Sequence, residues 1–462
     1  MFDEWDDALL NLICDKLGRV EMRPGGCLPE WVHKLRHERM QMQLPTRFGG
    51  LGLRPLTIIS LVAYLGSLAA SAPEILSVAD RCRPALGAPL LLPSRYEEEY
   101  MYCRDSLILL APVLETMVFV DVSDAVDALN LVCLPTTLLE FLQTFQQHPD
   151  CAMKFQRRLS LKVWERQAEL CEAAAGRLSV SALHRLLSYY AQDAGRIWNR
   201  VPDSSRKRLQ PAHAQHAARL QFGALPEPWM YLHDGPLICR GCRKVDIKAV
   251  PGHFLHCESL RRSLATQRHD AVALVLQSAA HQNGVPTEWS PFVAGSSKVC
   301  DIAFHLPARS VLTDVTIVAA DAPSRAGLSE DTLRNDPVHA ANLAAGAKVS
   351  KYQAIIDRAG STFVPLAFTT AGGYTKKVAD FIVSIEGAGE DNCVPIVMEA
   401  DDIRDLLAVV IQRGNALMNM AGSARMRADS PAYQLARAAK RRLRAASLVQ
   451  RGGVAPGRVG VG

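Results

Sequence analysis

Apolar positions recur every three to four residues through most of the first half of this chain, and in one stretch of the second half they alternate strictly. The opening residues put Trp5, Leu9, Leu10, Ile13 and Leu17 on one side of an amphipathic helix, which Pro24-Gly25-Gly26 ends. A glycine-rich connector, Leu44-Pro45-Thr46-Arg47-Phe48-Gly49-Gly50-Leu51-Gly52-Leu53, leads into an uncharged segment from Pro55 to Pro73. Thr57, Ser60, Gly66, Ser67 and Ser71 dilute that segment, so it reads as a buried helix and not as a membrane span. Helical spacing continues from about Glu74 to His233, near Glu98–Leu110, Val122–Leu131, Thr136–Gln147, Met153–Ala175 and Ser181–Asn199. Pro202-Asp203-Ser204-Ser205 is a connector, and no internal repeat is visible.

After His233 the texture changes. A short Cys/His cluster precedes a helix over Arg268–Gln282, a strand over Val285–Trp289, a hairpin, a long helix over Leu333–Asp357 and a strand over Thr362–Phe368. A helix starting near Thr375 and another over Ala400–Met418 complete what this order predicts to be an α/β unit. In the hairpin, Val299–His305 and Val311–Val318 both alternate as half-buried strands do, and Pro307-Ala308-Arg309-Ser310 reads as the turn. An even loop would project Asp301 and Asp314 from one face, with Cβ atoms roughly 5–8 Å apart. Cys300, Ile302, Phe304, Val315 and Ile317 would then face a core. Neighbouring carboxylates repel unless a cation lies between them, so the pair is a candidate divalent-metal site.

At 462 residues the chain is long for one domain, and 48% hydrophobic with 21% charged residues is a composition that buries real cores. The net charge of +5 says little about partners, but its distribution says more. Ala421 to Arg451 holds eight Lys or Arg and one Asp, including Lys440-Arg441-Arg442-Leu443-Arg444, either a solvated tail or an anion-binding or nuclear-targeting segment. Arg157, Arg158, Arg196, Arg200, Arg206, Lys207 and Arg208 form further basic clusters, able to touch nucleic acid but commoner as solvated helix faces. The acidic start (Asp3, Glu4, Asp6, Asp7) is unlike a secretory signal, and twelve scattered cysteines suit a reducing compartment. An intracellular protein without a membrane partner is expected.

The spacing Cys239-x2-Cys242-x10-His253-x3-Cys257 points to tetrahedral Zn²⁺, which a short knuckle with few apolar residues needs in order to hold its shape. His253 is preferred to His256 because i and i+4 positions share a helical face with Cys257, whereas adjacent residues diverge. Four closed ligands would make this zinc structural. Lys348, Lys351 and Tyr352 lie three and four apart on the long helix, a solvated pair unless an anion binds there. Glu288 is either an additional carboxylate for the site or an ordinary strand-end residue. In Arg268-His269-Asp270, Asp270 suits a helix N-terminus and His269 reads more readily as structural than catalytic.

The order of these motifs, with Lys298-x-x-Asp301, Asp314-Val315-Thr316 and Lys348-x-x-Lys351-Tyr352, resembles the C-terminal region of non-LTR retrotransposon polyproteins that carry a restriction-enzyme-like endonuclease. The resemblance covers about Cys239 to Thr370. It implies a CCHC zinc knuckle followed by a PD-(D/E)XK-type α/β domain behind a mostly helical N-terminal half. It assigns Mg²⁺ or Mn²⁺ to Asp301 and Asp314, and transition-state stabilisation to Lys348 or Lys351, with Tyr352 and Glu288 beside them. Thr316 stands where an unmigrated lysine would be. The chain departs from the family at Cys300, where a small residue such as Pro is usual, and at Glu288-Trp289-Ser290-Pro291, where Glu-Pro is expected.

Leu44–Leu53 is similar to the segment after the reverse transcriptase thumb in such elements. The chain contains no Tyr-x-Asp-Asp, so no reverse transcription is expected from it. The expected organisation is a thumb remnant (1–73), a helical domain (74–233), the knuckle (234–262), the nuclease-like domain (263–420) and a basic, disordered tail (421–462). The resemblance implies DNA and element RNA as partners, nicking of target DNA as the activity, and a nuclear location. A non-catalytic nucleic-acid-binding module and a decayed remnant are the alternatives.

Overall fold

The computed structural model describes residues 40–48, 50–51, 55–81, 92, 94–112, 134–147, 149–200, 202–233, 235–292, 299–322, 328–359, 362–394 and 397–427. The expected N-terminal amphipathic helix, the Val122–Leu131 helix, Lys298 and the basic tail beyond 427 lie outside them. The chain divides into two units, which among the described residues meet at Leu178 and Ser179. That division falls inside the stretch 74–233, so helices up to Leu178 belong to the first unit and those after it to the second.

The first unit is helical: α1 (Leu56–Ala70), α2 (Ala72–Arg81), α3 (Ser94–Leu110), α4 (Leu138–Gln147) and α5 (Pro149–Leu178). The uncharged segment forms α1 and buries Val62, Leu65 and Ala69. No single described helix is long and apolar enough to cross a membrane. Rings fill the core: Phe145 lies 4.8 Å from both Phe141 and Phe155, and Tyr100 lies 5.1 Å from Phe141. Thr137 and Glu140 cap α4 reciprocally, each accepting from the other's backbone N–H at 3.2 and 3.3 Å.

The second unit begins with α6 (Val180–Ser188), whose N-cap Ser179 accepts from the Ala182 N–H at 3.0 Å. The helix expected over Ser181–Asn199 stops at Ser188. Asp193 (φ 62°) and Gly195 (φ 69°) turn the chain through left-handed conformations that no helix continues, before a single turn at Arg196–Asn199. Next come α7 (Pro211–Gln221), α8 (Thr266–Gln282), β1 (Thr287–Trp289), β2 (Ile302–Leu306), β3 (Arg309–Val318), α9 (Glu330–Asn335), α10 (His339–Ala359), β4 (Thr362–Thr369), α11 (Lys376–Asp391) and α12 (Ala400–Arg427). The single long helix expected from Leu333 is broken at Asp336-Pro337. Asp336 takes φ −136°, ψ 81°, because the residue before proline is driven out of the helical region. The last helix runs nine residues past the expected Met418, to Arg427.

The sheet has four strands in the order β1-β2-β3-β4, antiparallel except for the parallel β3–β4 pair. One face carries Ile302, Phe304, Val311, Val315, Leu366 and Phe368 into a core completed by α8, α11 and α12. On the other face α10 packs through Ala341 and Ala345 against Ala367, where small side chains let helix and strand approach closely. Cys300 does not join the first core as expected. It packs with Tyr352, Leu312 and Phe363 on the α10 side, because it precedes the regular ladder and escapes its alternation.

Phe304 is fully buried, with its ring 4.9 Å from Phe381. Phe304→Ala should therefore cost about 3–5 kcal/mol. Chemical denaturation of the full chain checks this, and a loss under about 1 kcal/mol would contradict the assigned strand face.

Candidate functional site

The β2–β3 turn is two residues long, Pro307-Ala308, with Leu306 paired to Arg309 and Ile302 to Thr313. Asp314 lies within β3 on the face toward α10, whereas Asp301 immediately precedes β2, outside the paired register, with its N–H donating to the Thr313 carbonyl at 2.9 Å. The opposite face is core, so a one-residue slip of β3 would turn Asp314 into apolar packing. Core packing therefore positions Asp314.

Each carboxylate has partners from another element. Asp301 Oδ2 accepts from His269 Nε2 of α8 at 2.9 Å and from the Val315 N–H at 2.6 Å. Asp314 is almost buried; its Oδ1 accepts from Lys348 Nζ at 2.5 Å and its Oδ2 from the Tyr352 hydroxyl at 2.8 Å. Lys351 Nζ donates to that hydroxyl at 2.9 Å and lies 4.5 Å from the ring centroid. The break at Pro337 starts α10 so that Lys348 and Tyr352, one turn apart, both face β3.

Burial alone would raise the Asp301 pKa, but the hydrogen bond and charge of His269, the Val315 N–H and Lys348 outweigh it and hold it low. Lys348 thus acts on both carboxylates. His269 is pushed up to about 9, chiefly by its bond to Asp301, against the opposing effect of burial and with help from Asp270, which binds Nδ1 at 3.0 Å. Both ring nitrogens face carboxylates, so the ring is an imidazolium at neutral pH. Burial and then Asp314 push the Tyr352 phenol well up, so it donates and does not serve as a base. Burial, with the charges of Asp314 and Asp301, likewise pushes the Cys300 thiol up to about 11.

Glu288 pairs with Ala303 and is solvent-exposed, outside the hydrogen bonds that join Asp301 to His269 and Asp314 to Lys348 and Tyr352. Thr316 pairs with Ala367 two residues beyond Asp314 on the same face. His269, read from the sequence as structural, is bonded directly to Asp301. The only signal in the sequence was its neighbour Asp270, which cannot reveal a contact thirty-two residues away. Three residues of the basic clusters in the helical region form ion pairs. Arg196 is held by Asp193 at 2.7 Å and by Asp405, Arg200 by Asp401, and Lys207 by Asp203 at 2.8 Å and Asp402 at 2.5 Å.

Cys239, Cys242, His253 and Cys257 bring their ligand atoms within 4.8 Å of one another. Cys239 Sγ lies 3.8 Å from Cys257 Sγ, and Cys242 Sγ 3.2 Å from His253 Nε2. Three sulfurs and one imidazole at this spacing form a set that can hold a metal ion and is compatible with structural zinc. The route differs from the shared α-helical face expected: His253–Leu255 is a 3₁₀ turn, and the chain reverses to return Cys257. Both ring nitrogens of His256 are buried without a hydrogen-bond partner; its ring packs 5.3 Å from that of His253 but is not one of the four.

No protein-family model matches the chain, and no curated protein matches it.

Cobalt substituted at the Cys/His set should show thiolate charge-transfer and tetrahedral ligand-field absorption. His253→Ala should alter these bands and His256→Ala should not; the reverse pattern would reassign the histidine.

The folded pKa of His269 lies above its unfolded value near 6.5. Its stabilisation is therefore complete below about pH 6.5 and is lost as pH rises through about 9. Without added divalent cation, His269→Gln should flatten the stability profile over that window. An unchanged profile would show that the ring is not paired as described.

Proposed function

We propose that the second unit is a metal-dependent phosphodiesterase of the PD-(D/E)XK type that cuts DNA, with the Cys/His set holding a structural Zn²⁺. The observation that carries this reading is that Lys348 of α10 is hydrogen-bonded to Asp314 of β3 while its charge also reaches Asp301, the residue before β2. The helix, three antiparallel strands, helix and parallel strand around them agree with the order that the sequence resemblance implies.

The donor set suits a hard divalent cation. Both hydrogen bonds to Asp301 fall on Oδ2, leaving Oδ1 for a metal, and Asp314 keeps lone pairs beyond its two bonds. Asp301 and Asp314 would hold Mg²⁺ or Mn²⁺, which supplies polarisation of the phosphate and a more acidic bound water. The remaining tasks belong to the chain. His269 fixes the orientation of Asp301, and Tyr352 does the same for Asp314. Lys348 places an ammonium where negative charge grows on the phosphate oxygens, and Lys351 adds a second cation behind Tyr352. The knuckle and basic segments would hold the duplex through its phosphates, so binding should weaken steeply with salt.

One observation favours a second reading. His269 and Lys348 already neutralise both carboxylates, as they would in a structural ion-pair cluster within a nucleic-acid-binding module that no longer cuts.

A plasmid nicking assay with Mg²⁺ or Mn²⁺ separates the two. The nuclease reading expects cutting that falls at least about 100-fold in Asp301→Asn and Asp314→Asn, with DNA binding retained, and about 100- to 1,000-fold in Lys348→Ala. Absence of cutting by the unaltered chain with either metal, alongside salt-sensitive DNA binding, would leave the binding module.

A further inference from the structure

Between α8 and α12 lies a cavity of about 80 Å³, walled by Leu264, Val410 and Leu417 and carrying Gln267, Arg268 and Arg413. One water needs only about 10–15 Å³ of such space, so a tetrahedral oxyanion fits. No aspartate or glutamate lines it.

Arg268 is 5% exposed. Its Nη1 donates to Asn415 Oδ1 at 2.6 Å, while its Nε is buried without a partner. Asn415 brings no charge, and its own amide is spent on the Thr370 carbonyl at 2.8 Å and Gln412 Oε1 at 3.2 Å. Burial is the sole influence on the guanidinium, which it lowers to about 10, so no carboxylate compensates a group still charged at neutral pH. Arg196, comparably buried in the same unit, ends on Asp193 and Asp405. A buried charge without a counter-charge is expensive. A second guanidinium, Arg413, on the same wall increases the demand for an anion.

Gly414 keeps the arrangement open, since a Cβ there would sit 2.5 Å from Arg268 Cγ. The apolar walls lower the local dielectric and so strengthen any ion pair formed inside. The planar fork of arginine suits phosphate oxygens. One residue further along α8, His269 turns to Asp301 instead.

We infer that Arg268 and Arg413 form a phosphate-binding site that takes a backbone phosphate of nucleic acid. The nucleic-acid source rests on the function proposed above; the anion site itself does not.

The test uses the full chain and reads binding, so a failure to cut DNA leaves it intact. Arg268→Met removes a buried strut, and Arg413→Met, at a half-buried position, carries the experiment instead. Inorganic phosphate should raise the melting temperature of the unaltered protein and have no such effect on Arg413→Met. For a short DNA duplex, Arg413→Met should lower the slope of log affinity against log salt by about 0.9, the value for one phosphate contact, with affinity about tenfold weaker. Gly414→Ala retains both charges while displacing Arg268 and should show the same losses. Loss of phosphate protection with an unchanged DNA slope would overturn nucleic acid as the source. No phosphate protection and no change of slope would overturn the site.

Discussion

The two-residue turn between β2 and β3 is the constraint on which the rest of the second unit depends. It sets the register of a hairpin whose one face is packed against α8, α11 and α12 through Ile302, Phe304 and Val315. With side chains alternating at period two, that packing leaves Asp314 a single choice, the face toward α10. The carboxylates cost stability, and the core beneath them supplies it.

The two acids create an electrostatic demand that three side chains from two other helices meet. His269 from α8 binds Asp301, while Lys348 and Tyr352 from α10 bind Asp314. The ring of His269 bridges Asp270 and Asp301 and is held protonated by them, whereas Tyr352 is held neutral by burial beside Asp314. One group is thus held charged by the carboxylates beside it, and the other is held neutral chiefly by burial. The Cys/His set solves a different problem: with Cys239, His253 and Cys257 buried and no α-helix to join them, its ligands are gathered by a 3₁₀ turn and a chain reversal.

The long α12 ties these parts together. Its first turns hold the basic residues after α6 through Asp401, Asp402 and Asp405, and Asn415 further along receives Arg268. Charges that look like a solvated or nucleic-acid-binding surface in the sequence are in part consumed internally. Arg268, in contrast, is buried with no acid to meet it.

Much of this was legible in the residues themselves. Local patterning determined most of the elements, the core face of the hairpin from Ile302 onward, and the spacing of the four metal-competent ligands. These are properties of short separation, governed by backbone period and side-chain chemistry. Local propensity was overridden where a single residue matters more than a window: Pro337 broke one expected helix, and Asp193 with Gly195 ended another. Only the tertiary structure decided that Cys300 faces Tyr352, that Glu288 stands apart, that His269 joins Asp301, and that Arg196, Arg200 and Lys207 are paired. Each of those outcomes depends on a contact between residues distant along the chain, set by how helices pack on the sheet. Periodicity shows which face of an element is apolar, but not which charged group the next layer will bring to it.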